Sequence, residues 1–339
     1  MYPWSLEFKG RLETHTFESH ILRENVLRDP YQRPLWVYLP PGYDEEPERR
    51  YPTIYMLLGL TGQLDMWRNR SPFRKHPVEL ADELFANPDI PPCILVWVDC
   101  WTSYGGSQYL DSPAVGRYHT YLCDEIVPWI DEHYRTLSAR EHRGISGKSS
   151  GGYGAFISSV LRPDLWGAFA THSGDALFEY YQLLFPQVVR ALRDHYEGSY
   201  ELFWHDFRSR VAFTKESDAA LLEVWCMAAC YSADEDGTIH LPFHPATGEL
   251  RPEIWERWLA YDPVRLVAKH AHTFRTMQAI YIDAGRADQY YLDLGAEALR
   301  RELQGIGVTD IFFELFDGTH IGIEYRYPFS WEYLAKRLA

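Results

Sequence analysis

The chain has 339 residues, 46% of them apolar, and a formal net charge of −15. That length exceeds one minimal domain and suits one large α/β domain carrying an insertion, while the even spread of apolar residues excludes disorder. An acidic balance without any basic run excludes phosphate-backbone binding, so nucleic acid is not an expected partner.

At the start of the chain, Met1-Tyr2-Pro3-Trp4-Ser5 lacks the basic and apolar regions of a secretory leader. No apolar stretch is long enough to span a bilayer. The five cysteines (Cys93, Cys100, Cys123, Cys226, Cys230) sit in mostly apolar contexts and read as reduced, buried thiols. Cys226 and Cys230 have helical i, i+4 spacing, but no histidine or second cysteine pair joins them as zinc ligands. A cytoplasmic protein with no membrane partner is expected.

Alternating stretches at Thr14–Glu18 and Leu35–Leu39 predict paired strands leading to the turn Pro40-Pro41-Gly42. The runs Thr53–Leu58 and Cys93–Val98 are continuously apolar, as strands buried on both faces are. Between them Pro77–Phe85 reads as a crossover helix, so the sheet is expected to be parallel. Tyr118–Tyr134 is helical, interrupted or re-started at Pro128. Arg143–Ser146 is a strand followed by a glycine-rich turn and a helix ending near Pro163. Further strands are expected at Trp166–His172, Ala279–Ile282 and Ile311–Phe316, with a helix whose Leu292, Ala296, Leu299 and Leu303 share one face.

Residues 176–276 differ. They are rich in helical patterns and aromatics (Phe178, Tyr180, Tyr181, Phe203, Trp204, Phe207) and poor in strand signals. A crossover needs only a dozen or so residues, so this segment is expected to be a helical lid on a core made of residues 1–175 and 277–339. Trp255 and Trp258 are expected to pack its core, and Asp234-Glu235-Asp236-Gly237 to form a solvated turn.

The chemistry centres on Gly147-Lys148-Ser149-Ser150-Gly151, which fits G-x-S-x-G. A serine raised on a tight strand-to-helix turn needs flanking glycines, and the helix N-terminus after it offers N–H groups to an oxyanion. Ser146, Ser150 and Ser173 lack that glycine frame. Serine needs a base and the base a carboxylate, on loops after late strands. Asp288 and His320 occupy those loops. Asp283, at a strand end, reads as structural, and Asp317 is too near His320 in sequence. The predicted oxyanion donors are the main-chain N–H groups of Leu60 and Ser150. Gly59, Lys148, His172 and Asp175 are candidate pocket residues. For His172 and Asp175 a satisfied strand-end histidine and a helix-capping aspartate are equally open readings.

These residues resemble the esterase family that includes esterase D (S-formylglutathione hydrolase), feruloyl esterases, enterochelin esterase and the mycolyltransferase antigens. Pro40-Pro41-Gly42-Tyr43 and Tyr51-Pro52-Thr53 through Gly59 are similar to its PPGYD…YPVLYLLHG signature. Ser149-Ser150-Gly151-Gly152-Tyr153-Gly154-Ala155 resembles its SMGGYGA elbow. Ile282–Gln289 looks like its acid loop and Gly318-Thr319-His320 its histidine loop. The resemblance implies an α/β-hydrolase fold, with a mostly parallel central sheet flanked by helices, and a serine esterase working through an acyl-enzyme. Neither metal nor organic cofactor is implied. Two departures stand out. Leu58 replaces the family's usual histidine, and the 176–276 segment is longer than in small members. Acyl transfer to an alcohol, hydrolysis of a thioester or siderophore lactone, and a non-catalytic binding protein retaining the fold are the alternatives. An exposed aromatic lid also leaves a homodimer open.

Overall fold

The computed structural model describes residues 7–69 and 73–339; the Met1–Ser5 stretch read above lies outside the described residues. Ten strands are present: β1 (Arg11–Glu18), β2 (Gln32–Leu39), β3 (Thr53–Leu57), β4 (Ile94–Val98), β5 (Asp111–Ser112), β6 (Gly116–Arg117), β7 (Arg143–Lys148), β8 (Ala168–His172), β9 (Ala279–Gly285) and β10 (Phe312–Phe316). Eight form one sheet in the order β1-β2-β4-β3-β7-β8-β9-β10, and β5 and β6 make a separate small hairpin. The predicted pairing of the first two strands is antiparallel, with Thr14 opposite Trp36. β2 also runs antiparallel to β4, and from β4 to β10 every pairing is parallel.

The apolar runs have the period-2 logic of a sheet covered on both sides. Val37, Tyr55, Leu57, Val96, Ile145 and Phe169 point into one core layer; Tyr38, Ile54, Met56, Leu95, Ala168 and Ala170 point into the other. The second layer is closed by α1 (Pro77–Phe85) and by the C-terminal α12 (Tyr327–Leu338). The first is closed by α4 (Ser150–Leu161), which the elbow leads into, and by the helical run after Tyr118.

Of the two readings at Pro128, the run shows the restart and not the interruption. α2 (Tyr118–Thr120) passes into a π-helical stretch, Tyr121–Ile126, and then α3 (Val127–His133). Pro128 stands in the first turn of α3, where its missing N–H costs nothing, so the chain adapts by widening upstream instead of stopping.

Between β8 and β9 the chain forms a short 3₁₀ turn, Phe178–Leu183, then α5 (Phe185–Tyr196), α6 (Tyr200–Ser209), α7 (Asp218–Tyr231), α8 (Pro252–Leu259), α9 (Pro263–Lys269) and α10 (Ala271–Arg275). Trp255 and Trp258 are buried. Asp234 and Asp236 lie in a turn, Asp234 held by His240 at 2.6 Å and Arg257 at 2.9 Å. The end of this segment is bound to the sheet layers, since α9 packs on α4 and on α11 (Leu292–Gly305). Its aromatics are continuous with the core. Phe178 packs on Tyr153 of α4 at 5.9 Å and on Tyr231 of α7 at 5.4 Å between ring centroids. Among the described residues no helix is long and apolar enough to cross a membrane.

Candidate active site

β7 delivers Ser149 to the first layer of the molecule on a turn that few residues tolerate. Its φ of 56° and ψ of −129° lie in a strained region, and α4 begins at the next residue. The flanking glycines have a steric cause. A Cβ on Gly147 would stand 2.4 Å from the Gly151 carbonyl, and one on Gly151 would stand 2.3 Å from the Leu57 carbonyl oxygen. Gly59 is pressed against Ser149, its hypothetical Cβ 3.2 Å from the Ser149 Cβ.

The loops after β9 and β10 bring His320 and Asp288 together. They are tied by the Arg286 N–H donating to the Phe316 carbonyl (2.9 Å) and the Ala287 N–H to the Gly318 carbonyl (2.9 Å). His320 Nδ1 and Asp288 Oδ2 are 2.8 Å apart. The other Asp288 oxygen accepts from the Tyr290 N–H at 2.9 Å. Burial by itself would push the Asp288 carboxyl up, but the hydrogen bond and charge of His320 outweigh it and hold the group below the usual carboxylate range. An ionised Asp288 accepts a hydrogen bond from the Nδ1–H of His320, which leaves Nε2 with its lone pair. The Tyr290 ring stands edge-on to the imidazole, 4.9 Å between centroids.

Ser149 and His320 line one cavity of about 810 Å³. Gly59, Leu60, Lys148, Ser150 and Asp175 line it too. Asp288 sits behind His320, buried. Among the described residues the Leu60 N–H has no acceptor, while its neighbours Thr61 and Gly62 donate to the carbonyls of Gly105 (2.7 Å) and Gly59 (3.0 Å). The Ser150 N–H opens a helix and has no intrahelical acceptor. The loop is steadied from outside by Tyr109, whose hydroxyl donates to the Leu58 carbonyl at 2.6 Å.

Lys148 forms an ion pair with Glu324 at 3.5 Å. Asp175 is buried, accepting from Gln108 Nε2 at 3.1 Å and the Ser150 hydroxyl at 3.2 Å, and burial pushes its carboxyl up. His172 departs from the pocket expectation. Its side chain lies in the layer under α12, with Nδ1 2.6 Å from Asp283 and Nε2 2.8 Å from the Ser330 hydroxyl, and it does not line the cavity. Alternation along β8 decides this, because His172 shares a face with Ala168 and Ala170. Asp283 belongs to the same sealed network, accepting also from the Tyr281 hydroxyl (2.9 Å) and Arg326 Nε (2.9 Å).

Two cavity features escaped the sequence reading. Tyr109 acts from a loop with left-handed φ (54°), for which no local motif speaks. Glu223 lines the cavity from α7. It is the sole charge in that helix after Asp218, set among Leu221, Leu222, Val224 and Met227, and that isolation was the available signal. Among the described residues no group of three or more His, Cys, Asp or Glu side chains is placed to hold a metal ion.

A family model described as "Putative esterase" matches residues 30–305. The endo-1,4-beta-xylanase/feruloyl esterase of Xylanibacter ruminicola is 27% identical over 146 residues, which is 41% of this chain and 19% of that protein. Three curated relatives that the chain matches are covered over 19% to 58% of their lengths. Among solved structures, a ferulic acid esterase superposes with a TM-score of 0.62 at 19% identity, covering 98% of this chain and 100% of that one. An S-formylglutathione hydrolase from Agrobacterium tumefaciens gives 0.57 at 18% identity, covering 99% and 98%. These likenesses show a shared α/β-hydrolase fold. A family model that runs from β2 to the end of α11 reaches further, to common descent: the chain belongs to that esterase family.

Proposed function

We propose that the chain is a serine esterase that hydrolyses a carboxylic ester through an acyl-enzyme on Ser149. One observation carries the reading: a serine held at φ 56° shares a cavity with a histidine whose far nitrogen lies 2.8 Å from a buried carboxylate. As Ser149 Oγ attacks the ester carbonyl carbon, its proton passes to His320 Nε2. The negative charge gathers on the carbonyl oxygen, for which the Leu60 and Ser150 N–H groups are free. The C–O bond to the alcohol then breaks and His320 returns the proton to the leaving oxygen. Water, deprotonated by His320, attacks the acyl carbon in the second half, and Ser149 recovers its proton. Asp288 fixes the imidazole tautomer and offsets its positive charge.

The neighbours that carry the names ferulic acid esterase and S-formylglutathione hydrolase act on an aromatic ester and a thioester. For this chain the tyrosine-lined cavity of about 810 Å³ favours an ester with one bulky half. We read residues 176–276 as the cap over that cavity, and five unpaired cysteines suit a reducing cytoplasm. Treatment with a fluorophosphonate followed by intact mass tests the chemistry. A single adduct on the wild type, absent from Ser149→Ala, is the expected result; labelling of both proteins alike, or of neither, would overturn it.

A further inference from the structure

The cavity wall contributed by residues 176–276 is apolar and aromatic apart from Gln187 and Glu223, and Glu223 is its one charged side chain. Glu223 presents its carboxyl to the cavity from the middle of α7, between Leu222 and Met227 in the lining. Among the described residues it has no hydrogen-bond or ion-pair partner. The charge that acts on it has the same sign: Asp175 lines the same cavity, its Oδ2 accepting from both Gln108 and the Ser150 hydroxyl. An unpaired carboxyl in an apolar wall is costly, and a second carboxyl beside it raises the cost. Burial, and then the charge of Asp175, push the Glu223 carboxyl up to about 8.

The cations of the lining do not offset these two acids. Lys75 is paired with Glu83, Lys148 with Glu324, and Arg74 lies exposed against Gly322 on the loop after His320. Among the described residues a metal ion would lack a third ligand here. Aromatic rings share the cavity with the two acids: Tyr181 and Tyr290 both line it, and burial together with the carboxyls of Glu223 and Asp175 pushes both phenols up. Carboxylate beside the π-faces of tyrosines is the chemistry that holds an organic ammonium group. Building on the esterase reading, we propose that Glu223 is a specificity-determining residue that binds a cationic ammonium group in the acyl or the alcohol half of the substrate.

Because the empty site keeps a proton on Glu223 at neutral pH, an ammonium ligand must displace it. Preference for a cationic substrate over its uncharged isostere therefore rises with pH through the titration of Glu223. The groups facing that carboxyl are Asp175, Tyr181 and Tyr290, and His320 acts on Asp175. Taking the ratio for two substrates cancels the titration of His320 itself.

Two substrate pairs place the charge on either side of the ester: 4-nitrophenyl 6-aminohexanoate against the heptanoate, and acetylcholine against 3,3-dimethylbutyl acetate. The proposal expects at least one cationic member to be favoured in kcat/KM by on the order of ten- to a hundredfold. Glu223→Gln, an isostere of the protonated acid, should erase the preference, read as the ratio of kcat/KM within each pair. Ratios near one in both pairs, with neutral esters turned over, overturn the proposal and leave the esterase reading intact. Binding separates the two readings. Benzyltrimethylammonium followed by ligand-observed NMR should bind Ser149→Ala and be lost from Ser149→Ala/Glu223→Gln, whether or not any ester is hydrolysed. Equal binding to both variants, or none to either, overturns the ammonium site.

Discussion

The hydroxyl of Tyr109 reaches the carbonyl of Leu58 at 2.6 Å, and so a residue 51 positions away fixes the peptide that leads into Gly59 and Leu60. The family's usual histidine at this position is here a leucine, and the loop that must aim the Leu60 N–H is anchored through its backbone instead. Gly154 makes room for the anchor, since a Cβ there would stand 2.2 Å from the Tyr109 ring. Tyr109→Phe keeps the ring and removes the bond. Positioning of an oxyanion donor matters only in the transition state, so kcat should fall about tenfold with KM little changed. Steady-state kinetics on a chromogenic ester decide it, and an unchanged kcat would remove Tyr109 from the account.

Asp288→Asn should cut kcat by roughly 10⁴ while the serine and the oxyanion donors stay in place, because an amide favours the wrong imidazole tautomer. The Asp288 carboxyl is held low in the folded protein by His320. Its contribution to stability is therefore present above its unfolded value and is lost as pH falls through the folded value. Thermal melts of wild type and variant should accordingly converge in acid and separate toward neutral pH.

Glu223 has the opposite sign. Its carboxyl moves from about 4.5 when unfolded to about 8 in the cavity. The folded state holds the proton more tightly, so the stabilising contribution is complete below the lower value and is lost as pH rises through the upper one. Glu223→Gln should melt with the wild type near pH 5 and above it near pH 9. A difference that is constant across this range would contradict the burial of the acid.

Asp283→Asn separates scaffolding from chemistry. It leaves His172, Tyr281 and Arg326 facing a weakened acceptor inside the layer under α12. Breaking a buried ionic network costs about 3–5 kcal/mol, to be read from denaturant unfolding. Fluorophosphonate labelling of the folded fraction should persist. Loss of labelling at full folding would give Asp283 a part in the reaction.

The elements the sequence announced best are those whose local signal and tertiary role agree. The continuous apolar runs of β3 and β4, the glycines of the elbow and the loops holding Asp288 and His320 each carry a physical demand that few residue types meet. His172 was legible in principle: counting in twos from Ala168 places it beneath the sheet, away from the serine. The π-helical stretch at Tyr121–Ile126 was not, because a one-residue widening leaves the apolar pattern almost unaltered. Tyr109 and Glu223 show a different limit. The partner of Tyr109 lies 51 residues away, and Glu223 meets the charge of Asp175 in a cavity that only the folded chain creates.

The aromatic chain from Tyr153 through Phe178 to Tyr231 has one more consequence. It splices the wall above the serine into the same packed interior that supports the serine from below, so the mould around the substrate is cast along with the rest of the protein. Phe213 and Ile321, both exposed, carry that lining out to solvent. Selectivity in such a vessel is inherited in its lining, and changing it is a matter of exchanging side chains such as Leu183, Leu222 or Glu223 one at a time.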